Sequence, residues 1–315
     1  MPMDVQTHLA LGLDQPVPFE ANGKTNATIL QAIGHASDNA YHPCPEAYPD
    51  AQVAEGTLNR WVDWNRSDCY PDTVRNLYSY LPAAYDADKP LNVIVFNDGV
   101  GYISRQGDVR VSRVLDTLHA KNQIAQTMAV FVNPGRLRTN PDDEEAGRVQ
   151  RRMEYDALTP VYGNFIIHEI LPFVCGELGV QVTSDPEGRS ICGISSGGIC
   201  AFTVAWQFPD SFRRVLSHCG SFTNILGGHN YPYLIRTTPK KPIRVYLQSG
   251  ENDAQTLSGD WPLANQQVAS AFRYAGYDHR FELGVGGHTL RHGGAVFADS
   301  VRWLWRDQKA SEEGD

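Results

Sequence analysis

Six short, largely apolar runs, at residues 91–96, 128–132, 190–194, 214–218, 243–247 and 279–283, are separated by stretches long enough for helices. Runs this short, bounded by polar and turn-forming residues, read as strands covered on both faces, as in parallel sheets. The stretches between them include 111–121, 165–175, 199–208 and 264–274; in the first, Val114, Leu115 and Leu118 share one helical face. Strand and helix alternating in this way predict an α/β fold, a mostly parallel doubly wound sheet with helices on both faces. The segment 73–82 alternates instead, and predicts a half-exposed antiparallel strand at a sheet edge.

Residues 1–70 are rich in Asn, Asp, Pro and Gly and weakly periodic, so they predict an irregular segment with one or two strands, 26–30 being β-compatible. With no repeat and no linker composition beyond it, 71–308 is expected to form one catalytic domain, followed by a tail at 309–315. A chain of 315 residues, 42% of them hydrophobic, buries a large core without disulfide staples. None of the six cysteines stands in a C-x-x-C or zinc-ligand spacing; Cys192 and Cys200 are expected in the core, and Cys44 and Cys69 fall in a loop-rich region where pairing is the lesser expectation. The net charge of −9 argues against nucleic-acid and anionic-membrane partners, though not against a small anionic ligand held by local arginines. The start, MPMDVQTHLALGLDQP, lacks the basic and apolar regions of a signal peptide, and no run approaches a membrane span, so a cytoplasmic location is expected.

The run Gly193-Ile194-Ser195-Ser196-Gly197 is a G-x-S-x-G pattern, weak alone but set here between a strand and a helix with Ile199, Phe202 and Trp206 as its apolar stripe. Strand, sharp turn and helix are the context in which such a serine becomes the nucleophile of an α/β-hydrolase fold. A serine needs a base, and this fold orders its residues Ser, acid, His. Of the later histidines, His218 reads as structural and His279 as a strand-edge residue. His288 follows the glycine loop 284–287 after the last strand and is the expected base, with His292 in reserve. Glycines around His288 and His292 argue against a helix carrying both as metal ligands, and no metal is expected. The acid should follow the run 243–247; Asp253 is preferred over Glu251. Two backbone donors should bind the oxyanion, Ser196 after the nucleophile and Val100 in the loop 97–102.

The stretch 133–160 is long, holds Pro134-Gly135, Asn140-Pro141 and the acidic run 142–145, and emerges at the carboxyl edge of the sheet; a lid or substrate-binding loop is expected. Arg136, Arg138, Arg148, Arg151 and Arg152 lie in or beside it, with Arg105 nearby. They could hold an anionic substrate or pair with the acidic run. Arg152, Tyr102 and Trp261 are the expected substrate contacts, Tyr155 and Tyr162 being further pocket candidates.

From Asp72 to Arg306 the chain resembles the esterase-D-like α/β-hydrolases, and within them the enterochelin (iron-siderophore) esterase group. The resemblance rests on Phe96-Asn97-Asp98-Gly99, Val130-Phe131-Val132-Asn133-Pro134-Gly135, Arg152-Met153-Glu154-Tyr155-Asp156, Glu169-Ile170-Leu171-Pro172, Gly193-Ile194-Ser195-Ser196-Gly197-Gly198, Gly259-Asp260-Trp261-Pro262-Leu263-Ala264-Asn265 and Gly286-Gly287-His288. It implies a serine esterase without metal or organic cofactor, with Ser195 as nucleophile, His288 as base and an oxyanion amide after Asp98-Gly99. Some siderophore esterases of this type look dyad-like, which leaves the role of Asp253 open. Siderophore-type or aromatic-acid esters are the expected substrates; the alternatives are feruloyl or acetyl esters of carbohydrates, or acyl transfer to an alcohol. The oligomeric state is not implied.

Overall fold

The computed structural model describes residues 34–308 and, ahead of them, a short strand pair, Glu20–Ala21 with Lys24–Thr25. The β-compatible stretch 26–30 and the tail 309–315 lie outside the described residues.

A nine-stranded mixed sheet forms the centre of the fold. Its main strands are β1 (Thr57–Trp64), β2 (Thr73–Leu81), β3 (Asn92–Asn97), β4 (Thr127–Val132), β5 (Arg189–Ile194), β6 (Arg214–His218), β7 (Arg244–Gly250) and β8 (Asp278–Gly284). They lie in the order β1-β2-β4-β3-β5-β6-β7-β8, and the six from β4 to β8 in that order run parallel. These six are the six apolar runs. β4, β6 and β7 are buried along their whole length, which is why their sequences show no alternation.

The main helices among the described residues are α1 (Val100–Ile103), α2 (Val111–Ala120), α3 (Glu144–Tyr155), α4 (Leu171–Leu178), α5 (Ser196–Gln207), α6 (Tyr231–Thr237), α7 (Trp261–Tyr274), α8 (Leu290–Ala295) and α9 (Phe297–Leu304). The pleat of β3 shows how they divide. Val93 and Val95 enter one core with residues of α5, α6 and α7, while Ile94 and Phe96 enter the other with α2 and α9. Each fully buried side chain of this size contributes roughly 1.5–3 kcal/mol. The expected α/β fold with helices on both faces is therefore the one observed.

The strand at 73–82 and the stretch 133–160 differ from expectation. The strand at 73–82 is not an edge: β1 pairs outside it, and most of its residues are buried. β1 is a strand within the segment read as irregular with one or two strands, and it pairs with β2 across the expected boundary at 70/71. The stretch 133–160 is not an open loop. Arg136–Leu137 pairs with the start of β2, and α3 follows, its first turn capped by Asp143, whose Oδ1 accepts from Ala146 N at 3.0 Å. α3 is so polar that no apolar stripe announces it; the capping aspartate followed by Glu144 and Glu145 was its only start signal.

A fully buried ion pair fixes α3. Both guanidinium Nη atoms of Arg75, on β2, donate to Glu154, at 2.8 and 2.9 Å, and the guanidinium lies 4.3 Å from the Phe165 ring centroid. Glu154 also accepts from Gly135 N and from Gln150 Nε2. Removing one partner strands the other charge without water, so Arg75→Met should cost about 3–5 kcal/mol in urea unfolding. A loss below about 1 kcal/mol would show that the pair does not hold α3.

Candidate active site

β5 ends at Ile194, α5 begins at Ser196, and Ser195 makes the whole turn between them at φ 60°, ψ −124°. A non-glycine residue holds such a conformation only when its surroundings impose it. Ser195 N donates to His218 O at 2.9 Å, while Ser195 O accepts from Gly198 N and from Ser221 N. A Cβ at Gly193 would collide with the Gly197 backbone, so the turn closes only over glycine. The Ser195 side chain is half-buried and reaches solvent at the carboxyl edge of the sheet. Its Oγ shares a hydrogen bond with Ser221 Oγ at 3.2 Å, and Ser221 Oγ also accepts from Trp261 Nε1.

The two loops that follow β7 and β8 carry the other residues. Glu251 N donates to Gly284 O and Asn252 N to Gly286 O, extending the pairing of the two strands past their ends. This brings Asp253 to His288: Asp253 Oδ1 lies 2.5 Å from His288 Nδ1. The Asp253 side chain is fully buried and also accepts from Ser249 Oγ and from Ala254 N; 11% of the His288 side chain is exposed. An acceptor on Nδ1 places the imidazole proton there and leaves Nε2 basic. Glu251, the alternative acid, is exposed, whereas Asp253 is buried against His288. His292, the reserve base, is buried, stacked on Tyr41 and bonded to Gln248, and burial lowers its pKa. His218 is structural, as expected: burial pushes it down to about 3, and its Nδ1 meets Tyr102 Oη at 3.0 Å.

The loop after β3 departs from expectation in two respects. The Val100 amide donates to Asn133 Oδ1 at 2.9 Å, so an oxyanion can use it only by displacing that side chain. Tyr102 is not a substrate contact. It is fully buried on α1, between Phe96 and His218, because the turn of α1 carries it into the core. Tyr155 and Tyr162 are core residues as well. Asp98, at φ 53°, is clamped by Arg151 through two bonds of 2.8 and 2.7 Å, and its amide donates to Tyr155 Oη.

Trp261 is buried beside His288. Asp260 caps α7 by accepting from Leu263 N, Trp261 N donates to Ala254 O, and the indole stands edge-on to His288 with ring centroids 5.8 Å apart. Most of the arginine cluster is committed elsewhere: Arg136 to Asp63, Arg105 to Glu55, Arg148 to Glu145 and Arg151 to Asp98. Arg152, half-buried in the last turn of α3, places its charge toward Asp156. Cys219, Asp253 and His288 offer donor atoms within 4.8 Å of one another, the one such group among the described residues, but Asp253 and His288 already bind each other. All six cysteines are free thiols. A cleft of about 470 Å³ lies at the opposite edge of the sheet, where Arg214, Arg244, Asp278 and Asp307 pair among themselves, and Ser195 does not line it.

Sequence reasoning missed Ser221, Asn133 and Asp156. Asp156 ends α3 and is fully buried near Ser196 at the start of α5. Burial pushes its carboxyl up to about 7, opposed by Ser196 and by the Arg151 and Arg152 charges. A carboxyl raised above its unfolded value of about 3.9 leaves stability intact below that pH and withdraws it as the pH climbs through the folded value. Asp156→Asn should therefore raise the thermal midpoint above wild type at pH 8, with the gain vanishing toward pH 4. An equal difference at both pH values would contradict this.

No helix among the described residues is long and apolar enough to cross a membrane. The fold is shared with enterochelin esterase from Shigella flexneri (TM-score 0.64, 17% identity, 84% of this chain and 62% of that one). It is shared also with a ferulic acid esterase from the anaerobic fungus Anaeromyces mucronatus (TM-score 0.62, 16% identity, 82% and 95%). The chain thus matches somewhat under two thirds of the length of the enterochelin esterases. An uncharacterised protein of Bacillus subtilis (strain 168), YbbA, is 19% identical over 248 residues, covering 75% of this chain and 95% of that protein. The family model described as Putative esterase matches residues 70–304, which include Ser195, Asp253 and His288, and by that match the chain belongs to the Putative esterase family.

Proposed function

We propose that the chain is a serine hydrolase that cleaves carboxylic esters through an acyl-enzyme on Ser195. The observation that carries this reading is the buried Asp253–His288 hydrogen bond, held at the same edge of the sheet as the strained Ser195 turn. In this mechanism Ser195 Oγ leaves its partner Ser221 Oγ and meets His288 Nε2. Nε2 then takes its proton as Oγ attacks the ester carbonyl, and Asp253 stabilises the imidazolium without itself being protonated. The Ser196 amide, at the positive end of α5, faces the developing oxyanion, and Val100 adds a second donor once Asn133 yields. His288 returns the proton to the leaving alkoxide, and water deacylates the enzyme by the same route.

For the substrate we favour an ester of an aromatic acid. Trp261 offers an aromatic edge beside His288, and the structural relatives include an enterobactin esterase studied with enterobactin and a feruloyl esterase studied with sinapinate. Pairing of Arg105, Arg136, Arg148 and Arg151 with carboxylates weakens the case for a polyanionic substrate held by that cluster.

Ser195→Ala should reduce p-nitrophenyl acetate turnover by about 10³-fold or more while leaving the thermal midpoint near wild type. Wild-type turnover by that variant rejects the mechanism. Asp253→Asn, which removes the charge but keeps the shape, should lower kcat by on the order of 10²- to 10⁴-fold. An unchanged kcat there means that Ser195 and His288 act as a dyad. Across feruloyl, dihydroxybenzoyl, acetyl and short aliphatic esters, kcat/KM should be highest for an aromatic acyl group; a preference for acetyl esters would overturn that choice.

A further inference from the structure

Residues 35–41, from the segment that the family match does not cover, are built into the loop that carries His288. Asp38 is 3% exposed. Its Oδ1 accepts from Gly287 N at 2.9 Å and from Thr289 Oγ1 at 3.0 Å, the residues on either side of His288. Its Oδ2 accepts from His35 N at 3.0 Å, locking the carboxylate into a capping box on the short 3₁₀ helix Ala36–Ala40. Around this bond the contact continues. Tyr41 Oη accepts from Val285 N at 2.8 Å, the Tyr41 ring stacks on His292 at 4.2 Å, and Arg291 donates to Asn39 at 2.8 Å.

The glycines of the His288 loop have their reason here. A Cβ at Gly284 would strike the Tyr41 hydroxyl, and one at Gly286 would come within 3.0 Å of Asp38 Oδ1. Gly284 and Gly286 thus make a socket for the N-terminal segment. Asp253 holds His288 by the ring, from the β7 side; Asp38 holds the backbone before it and the side chain after it, from the opposite end of the chain.

We propose that Asp38 is a positioning residue for the reaction, fixing the loop so that His288 Nε2 meets Ser195 Oγ. This rests on the reading of Ser195 and His288 as nucleophile and base. Asp38 touches neither substrate nor the reacting atoms, so its loss should slow the chemical step and leave substrate binding nearly unchanged. A misplacement of about 1 Å at a catalytic group costs up to ~10²-fold in rate.

The test measures kcat and KM of the full chain on p-nitrophenyl acetate for Asp38→Ala, Thr289→Val, Thr289→Ser and the double variant Asp38→Ala/Thr289→Val, with Ser195→Ala alongside. Asp38→Ala should lose about 10-fold or more in kcat with KM within about threefold of wild type. Thr289→Val should lose less, Thr289→Ser should recover that loss by restoring the hydroxyl, and the double variant should be no slower than Asp38→Ala, because both changes remove the same contact. A folded Asp38→Ala with kcat within twofold of wild type overturns the proposal, as does a loss confined to KM. If Asp38→Ala does not fold, Thr289→Val decides: kcat within twofold of wild type overturns it. Ser195→Ala separates the two claims. If it keeps its turnover, the nucleophile assignment fails; if it is inactive while the Asp38 and Thr289 variants match wild type, only the role of Asp38 fails.

Discussion

Ser195 sits at φ 60°, ψ −124°, a conformation that costs a residue with a Cβ on the order of 1–3 kcal/mol, and the rest of the site is arranged to hold it there. The amide is tied to β6 through His218 O, and the carbonyl accepts from Gly198 and Ser221, so the turn cannot relax without breaking main-chain bonds to two neighbouring elements. Gly193 supplies the missing Cβ that lets strand and helix approach. The strain has a consequence: it raises the Ser195 hydroxyl above the sheet edge and aims the first amides of α5 at the space beside it.

Around this turn the site is assembled from loops that the sheet brings to one edge. Those after β7 and β8 are joined by main-chain hydrogen bonds, which set the Asp253–His288 contact. The loop after β3 is held by a relay from the core: Arg75 binds Glu154 on α3, Arg151 one turn earlier binds Asp98, and Asp98 N reaches Tyr155. Asp38 and Tyr41 close the opposite side of the His288 loop. Each catalytic candidate therefore has at least one buried polar support, as preorganised sites require.

Much of this was legible in the chain, for identifiable reasons. The six strands could be read because burial on both faces leaves runs without alternation, and the contact between Asp253 and His288 was foreseeable from their places just beyond strand ends. α3 was missed because its exposed surface carries no apolar stripe. Tyr102 was misassigned because helix phase, which a four-residue helix does not reveal in sequence, decides whether that ring faces the core or the site. Val100 was expected to offer a free amide, but the Asn133 side chain competes for it, a contact between loops that local pattern does not encode. The Asp38 contact spans some 250 positions of chain, and its only trace in sequence was the density of glycine before His288.

The central claim is that Ser195 is the residue activated by His288 and Asp253. The most direct measurement is to treat the protein with a fluorophosphonate and locate the adduct by peptide mass spectrometry. A single phosphonyl group on the peptide bearing Ser195, formed stoichiometrically and abolished by prior heat denaturation, is the predicted result. An intact native protein that stays unlabelled, or that carries the adduct on another residue, would contradict the account.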